Sequence, residues 1–354
     1  MSKFLSSRFA RLKTYTPGEQ PKDAEYIKLN TNESPYPPSP LVIERVADAA
    51  QVRNLRLYPD PEGTELRRKI AALYGTTPKN IFLSNGSDEI LSFAFMAFCD
   101  GERQIAFPDV SYGFYKVYAE LYGVGYTEIP LAPDFTLNSA DYCGIGKNIV
   151  IANPNAPTGM AITLEEIERI LVTNPDRIVM IDEAYVDFGG ASSVELTKKY
   201  DNLLVIMTFS KSRSLAGARL GFAVAHEAII EDLNKIKYST NPYNVNRLTL
   251  AAGEAAIDDD AYYKAKSREI AETREFTAET LAGMGFEVLP SRANFIFAKH
   301  PAIGGEALYK KLKERGVLVR HFDAERTRDF VRITIGAPEE MRAFIEKIQE
   351  IMQN

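Results

Sequence analysis

Three short runs constrain this chain most: NIVIA (148–152), IVMID (178–182) and LLVIM (203–207), each apolar at nearly every position. A strand with one wet face alternates polar and apolar residues. Strands apolar throughout belong to a sheet covered on both faces, as in parallel sheets packed between helices. From residue 64 the pattern alternates accordingly. It predicts helix 64–74, strand 81–84, a helix opened by a Ser87 cap, strand 104–107, helix 111–122, strand 148–152, helix 163–173 and strands 178–182, 203–208 and 220–225. This is the doubly wound α/β pattern, a mostly parallel sheet covered by helices. After a helical stretch at 227–285 the texture changes. Strands 286–289, 294–298, 317–320 and 330–335 around helices 304–315 and 338–352 predict a smaller C-terminal α+β domain. The expected division is an N-terminal arm (1–30), a large domain (31–245) and a small domain (246–354).

A net charge of −6 over 354 residues argues against a nucleic-acid or anionic-membrane surface. Cys99 and Cys143 cannot form a disulfide framework, and His226, His300 and His321 lack zinc spacing, so no metal is expected. No apolar run approaches the ~20 residues that span a bilayer. The first residues lack the apolar core of a secretion signal, which makes a cytoplasmic location the expectation.

Ligands of an open α/β sheet gather at the carboxyl ends of its strands. Asp182 closes IVMID, and Ser210 and Lys211 follow LLVIMTF, so the three share one rim. The run TFSKSRSLAGARLGF (208–222) adds Arg219. Such a set meets the needs of pyridoxal 5'-phosphate (PLP). Lys211 can condense with its aldehyde, Asp182 can hold its pyridine nitrogen protonated, and Ser210 and Arg219 can grip its phosphate. Tyr185 could hydrogen-bond the ring's phenolic oxygen. SNGSDE (84–89) follows a strand and opens a helix, so the Ser87 and Asp88 amides face an anion. Singly, Asp182 reads as a helix cap, Tyr185 as core and Ser87 as a plain N-cap. Their convergence on one rim excludes that reading.

With these blocks in place, the chain resembles the class I/II aminotransferases of PLP fold type I, and within them the histidinol-phosphate aminotransferase family. The resemblance runs through LNTNESP (29–35), RLYPDPEG (56–63), SNGSDE, PDVSYGFY (108–115), NPNAPTG (153–159), IDEAYVDF (181–188), the lysine run, SRANFIFA (291–298) and FVRITIG (330–336). It implies that Tyr112 stacks on the cofactor ring. It also implies that Tyr58 reaches the cofactor phosphate of a second subunit, giving a homodimer with shared active sites. Arg332 would bind the substrate's carboxylate or phosphate, with Arg320 and Tyr15 as further phosphate contacts; Asn32 and Glu33 would help read an imidazole. The plainer alternatives are a surface tyrosine at 58 and edge-strand ion pairs at 320 and 332. One block departs from the family: Ala156 stands where a second asparagine is usual. Either Asn155 substitutes for it or Tyr185 carries the contact to the ring oxygen alone.

The implied reaction is transamination of L-histidinol phosphate with 2-oxoglutarate, giving imidazole-acetol phosphate and glutamate in histidine biosynthesis. An aromatic amino-acid aminotransferase and an L-threonine-O-3-phosphate decarboxylase share the lysine constellation and remain alternatives. A PLP-dependent regulator would carry an added DNA-binding region, and no helix-turn-helix pattern is present.

Overall fold

The computed structural model describes residues 2–10, 12–51 and 55–353. The first half of the chain forms β1 (Ile27–Lys28), α1 (Pro40–Ala49), α2 (Thr64–Leu73), β2 (Ile81–Ser84), α3 (Ser87–Phe98), β3 (Ile105–Pro108), α4 (Phe114–Tyr122), β4 (Tyr126–Ile129) and β5 (Asn148–Ala152). Next come α5 (Leu164–Thr173), β6 (Val179–Asp182), β7 (Leu203–Thr208), β8 (Gly221–Ala225), α6 (Glu227–Thr240), α7 (Arg247–Asp258) and α8 (Asp260–Gly283). The C-terminal part holds β9 (Glu287–Val288), β10 (Phe295–Lys299), α9 (Gly305–Glu314), β11 (Val317–Leu318), β12 (Arg320–His321), β13 (Phe330–Thr334) and α10 (Pro338–Met352).

The large sheet has seven strands in the order β2-β8-β7-β6-β5-β3-β4. β8 runs antiparallel to both its neighbours, and the remaining pairings are parallel. Successive residues of β5, β6 and β7 feed opposite faces. Ile149, Ile151, Ile181 and Val205 pack with Leu66 of α2, Ile167 of α5 and Leu250 of α7. Val150, Met180, Leu204 and Ile206 pack with Leu91 of α3, Tyr115 of α4 and Leu233 of α6. Both faces are dry, which is why these strands carry no alternation.

The small sheet is antiparallel, in the order β12-β13-β10-β9. Its apolar face packs on Ile270 and Leu281 of α8, Leu308 of α9 and Phe344 of α10. The expected helical stretch is three helices. The first break follows α6 at Asn241, and Asn246 caps α7 by accepting the Thr249 N–H. Packing also moves the transition between the two parts. Val245, Leu250, Ala255 and Tyr263 belong to the large sheet's core, whereas Ile270 and Leu281 belong to the small one. The changeover therefore lies within α8 rather than at 245. The arm is tied down before residue 30: β1 pairs in parallel with β11, and Leu29 is buried in the small core.

Close packing ties this frame to the cavity described below. A Cβ on Gly221, the first residue of β8, would lie 2.5 Å from the Ser87 nitrogen at the start of α3. Gly221→Ala should therefore lower stability by about 1–3 kcal/mol, read as a shift in the urea midpoint. An unchanged midpoint would show that the start of α3 is free to move.

Candidate active site

The carboxyl ends of β5, β6 and β7, the start of α3, the arm and the small sheet enclose a cavity of about 640 Å³. Lys211, just past β7, lies at its base, and its Nζ donates to the Thr31 carbonyl at 3.2 Å. Burial, reinforced by the Arg332 charge, pulls the Lys211 ammonium down to about 8. Asp182, at the end of β6, is almost wholly buried. Tyr115 donates to its Oδ2 at 3.0 Å and the Ala184 N–H to its Oδ1 at 3.2 Å. Burial nevertheless dominates and pushes this carboxyl up to about 6.

A phosphate-sized anion has a prepared place beside them. The helix cap is Gly86 (φ 77°), not Ser87 as the sequence suggested, which makes Ser87 the first helical residue. A Cβ at Gly86 would sit 2.6 Å from an Arg219 guanidinium nitrogen, and the positive φ there would strain any residue but glycine. Arg219 is itself left-handed (φ 56°) and reaches Ser210 Oγ at 3.4 Å and Asp88 Oδ2 at 3.4 Å. Tyr112 Oη holds the other Asp88 oxygen at 2.8 Å. Thr208 Oγ1 accepts from the Ser210 N–H and donates to Ser210 Oγ, fixing that hydroxyl.

Two more arginines line the cavity. The β12–β13 register sets Arg320 directly opposite Arg332. Like charges so placed destabilise an antiparallel pair. Among the described residues neither makes an ion pair. Arg320 donates to the carbonyls of Thr16 (3.0 Å) and Pro17 (3.2 Å), Arg332 to that of Asn30 (3.0 Å). Arg332 Nε is buried without a partner, and its guanidinium packs over the Phe295 and Phe322 rings at 5.3 and 5.6 Å. The arrangement suits an anion arriving from outside the chain. Tyr15 leans over it, stacked on Phe114 with ring centroids 4.3 Å apart.

The fold thus brings Tyr15, Asn32, Ser87, Asp88, Tyr112 and Asp182 to one cavity together with Tyr185, Ser210, Lys211, Arg219, Arg320 and Arg332. Asn155, expected here, and Tyr58, expected at a second subunit's site, do not line this cavity. The Asn155 amide donates to the Val110 carbonyl and to Thr158 Oγ1, both at 3.0 Å, and the side chain lines a neighbouring cavity while Ala156 faces the main one. Tyr58 is 76% exposed, stacked on Tyr243 outside the cavity of its own chain. Asn32 lines the cavity, where its Nδ2 donates to Tyr185 Oη and its Oδ1 accepts from the Thr334 hydroxyl. Sequence reasoning missed Thr208, two residues before Ser210, and Tyr115, one helical turn beyond Tyr112.

These donors fit PLP: an amine for the aldehyde, a buried carboxylate for the ring nitrogen, and a helix start with Arg219 for the phosphate. Comparison with known proteins agrees. Residues 24–348 match the family described as Aminotransferase class I and II. Histidinol-phosphate aminotransferase of Brachyspira hyodysenteriae is 51% identical over 355 residues, 100% of both chains. That of Clostridium acetobutylicum is 48% identical over 350 residues, 99% of both. The chain belongs to the class I and II aminotransferases, in the histidinol-phosphate aminotransferase family. Among solved structures, histidinol-phosphate aminotransferase from Sinorhizobium meliloti, in complex with PLP, shares the fold with a TM-score of 0.87 at 24% identity. The match covers 99% of this chain and 100% of that one. The chain is a PLP-dependent aminotransferase, acting on amino and oxo-acid substrates.

In the PLP-free aminotransferase, Asp182 is a liability to stability. Its folded carboxyl keeps a proton at pH values where the unfolded one has lost it. The stability it contributes therefore falls as pH rises from 3.8 to about 6 and stays low above that. Asp182→Asn should make the PLP-free protein more stable at pH 8 by up to about 3 kcal/mol. The gain should vanish as pH falls towards 3.8. Urea unfolding at both ends of this range checks the sign.

Proposed function

We propose that this aminotransferase converts L-histidinol phosphate and 2-oxoglutarate to imidazole-acetol phosphate and glutamate. One observation carries the choice of substrate: Arg320 and Arg332 face each other across two strands at the cavity, and among the described residues neither makes an ion pair. One carboxylate would satisfy a single arginine. A phosphate dianion satisfies both, because its oxygens accept the planar forks of two guanidiniums at once. Arg332 also suits the carboxylate of the 2-oxo acid in the other half-reaction, and Tyr15 adds a hydroxyl at the phosphate.

When bound, PLP supplies an electron-withdrawing pyridinium ring and an aldehyde carbon at which amino groups exchange. Asp182 would hold the proton on the ring nitrogen. Ser87, Asp88, Ser210 and Arg219 would hold the cofactor phosphate, Tyr112 would pack on the ring and Tyr185 would donate to the ring oxygen. Lys211, with its charged form already disfavoured by burial, would act as the base that takes the proton from the substrate carbon bearing the amine. Lys211→Ala should leave a folded protein without turnover.

The exposed Tyr58 is read as reaching a second subunit, so that two copies share their sites. Its surroundings support this, since Leu55, Leu57, Tyr238 and Tyr243 are also exposed.

Loss of one charge-assisted contact predicts that Arg320→Ala lowers kcat/KM for L-histidinol phosphate by about 10- to 100-fold. Activity on L-histidinol, which lacks the phosphate, should change little. Faster turnover of L-phenylalanine than of L-histidinol phosphate, or release of CO2 from L-threonine O-3-phosphate, would overturn the substrate assignment.

A further inference from the structure

Three consecutive residues of the arm touch three different working groups. The Asn30 carbonyl accepts from Arg332 at 3.0 Å, the Thr31 carbonyl accepts from Lys211 at 3.2 Å, and Asn32 Nδ2 donates to Tyr185 Oη at 3.0 Å. Asn32 is buried, and its backbone is left-handed with φ 56°. A non-glycine residue keeps such a conformation only where its surroundings over-determine it. Here they do. The Asn32 N–H donates to Thr334 Oγ1, the Thr334 hydroxyl donates back to Asn32 Oδ1, and Asn294 Nδ2 donates to the Asn32 carbonyl, each at 3.0 Å. Thr334 lies two residues beyond Arg332 on β13, so both side chains leave the same face of that strand. Asn32 is keyed to the strand that carries the substrate arginine.

A phenol has one proton and two acceptor lone pairs. With Asn32 Nδ2 occupying one lone pair, the Tyr185 proton cannot point at Asn32. It is free to turn to the cavity, and the incoming hydrogen bond polarises the O–H into a stronger donor. The Tyr185 ring is fixed edge-on against Phe295, with centroids 5.0 Å apart, so the hydroxyl has little other freedom. We propose that Asn32 is a positioning residue: it aims and strengthens the Tyr185 hydroxyl as donor to the cofactor ring oxygen, and it holds that hydroxyl in register with Arg332 through Thr334. The proposal rests on PLP occupying this cavity with its ring oxygen at Tyr185.

Charged and titratable groups around Tyr185 are Arg332 on β13, Asp182 at the end of β6, Asp88 on α3 and Lys211, whose Nζ lies 5.7 Å from the ring centroid. Tyr15 on the arm, Tyr112 and Tyr115 complete the set among the described residues. Asn32 itself bonds Tyr185, Thr334 and Asn294, so its substitution removes a hydrogen bond from none of the groups around Tyr185. A donor to the ring oxygen favours its anionic form, so weakening that donor moves the bound chromophore's titration upward.

The test is a spectrophotometric pH titration of the PLP-loaded protein. Asn32→Gly tolerates the left-handed backbone while removing the amide. It should raise the midpoint of the visible absorbance change by about half a pH unit, and it should add nothing in a Tyr185→Phe background. Thr334→Val, which loosens Asn32 without removing it, should give a smaller rise and serves if the glycine variant does not fold. An unmoved midpoint, or an equal rise in the Tyr185→Phe background, would overturn the proposal. Failure of the unsubstituted protein to take up PLP would overturn the cofactor reading itself, a distinct result from an unshifted titration.

Discussion

Three desolvated charges without ion-pair partners among the described residues set the terms for everything around this cavity. Lys211, Asp182 and Arg332 each sit where burial disfavours the charged form. An uncompensated charge in a low-dielectric site costs free energy, and a folded chain retains it only if a ligand completes the pairing. The complement is specific: an aldehyde for the lysine, a protonated ring nitrogen for the aspartate and an anion for the arginine. PLP would supply the first two, and under the proposed function a phosphorylated amine or a 2-oxo acid would supply the third.

The architecture delivers these charges without letting them neutralise one another. Parallel strands place Asp182 and Lys211 at the ends of neighbours β6 and β7, while Arg332 comes from the separate small sheet. The arm then spans the gap. β1 is tied to β11, and the next residues lend their backbone carbonyls to Arg332 and Lys211. A neutral carbonyl orients an ammonium or a guanidinium without discharging it, which leaves the full charge available to a ligand.

Much of this was legible in the sequence because it rests on periodicity and residue type. The unbroken apolar runs located β2, β5 and β7 at their observed bounds. Their ends located Asp182 and Lys211 at one rim. What stayed hidden depends on direction rather than composition. Asn155 turns its amide to Val110 and leaves Ala156 at the cavity, and no residue-type rule distinguishes adjacent positions of a tight loop. The Ser87 hydroxyl resembled a cap, but the cap is Gly86, whose positive φ of 77° suits glycine and strains any residue with a Cβ. β4 escaped notice as a half-exposed edge strand, YTEI, without a dry run to mark it. The left-handed Asn32 lies in a motif that announces only its residue types, and its role follows from partners about 150 and 300 positions away in the chain.

The most direct test of the account is a crystal structure of the PLP-loaded protein with L-histidinol phosphate. The account predicts the substrate phosphate between the Arg320 and Arg332 guanidiniums and the cofactor's ring nitrogen against the Asp182 carboxylate. A substrate phosphate away from both arginines, with Arg332 still donating only to the Asn30 carbonyl, would contradict it.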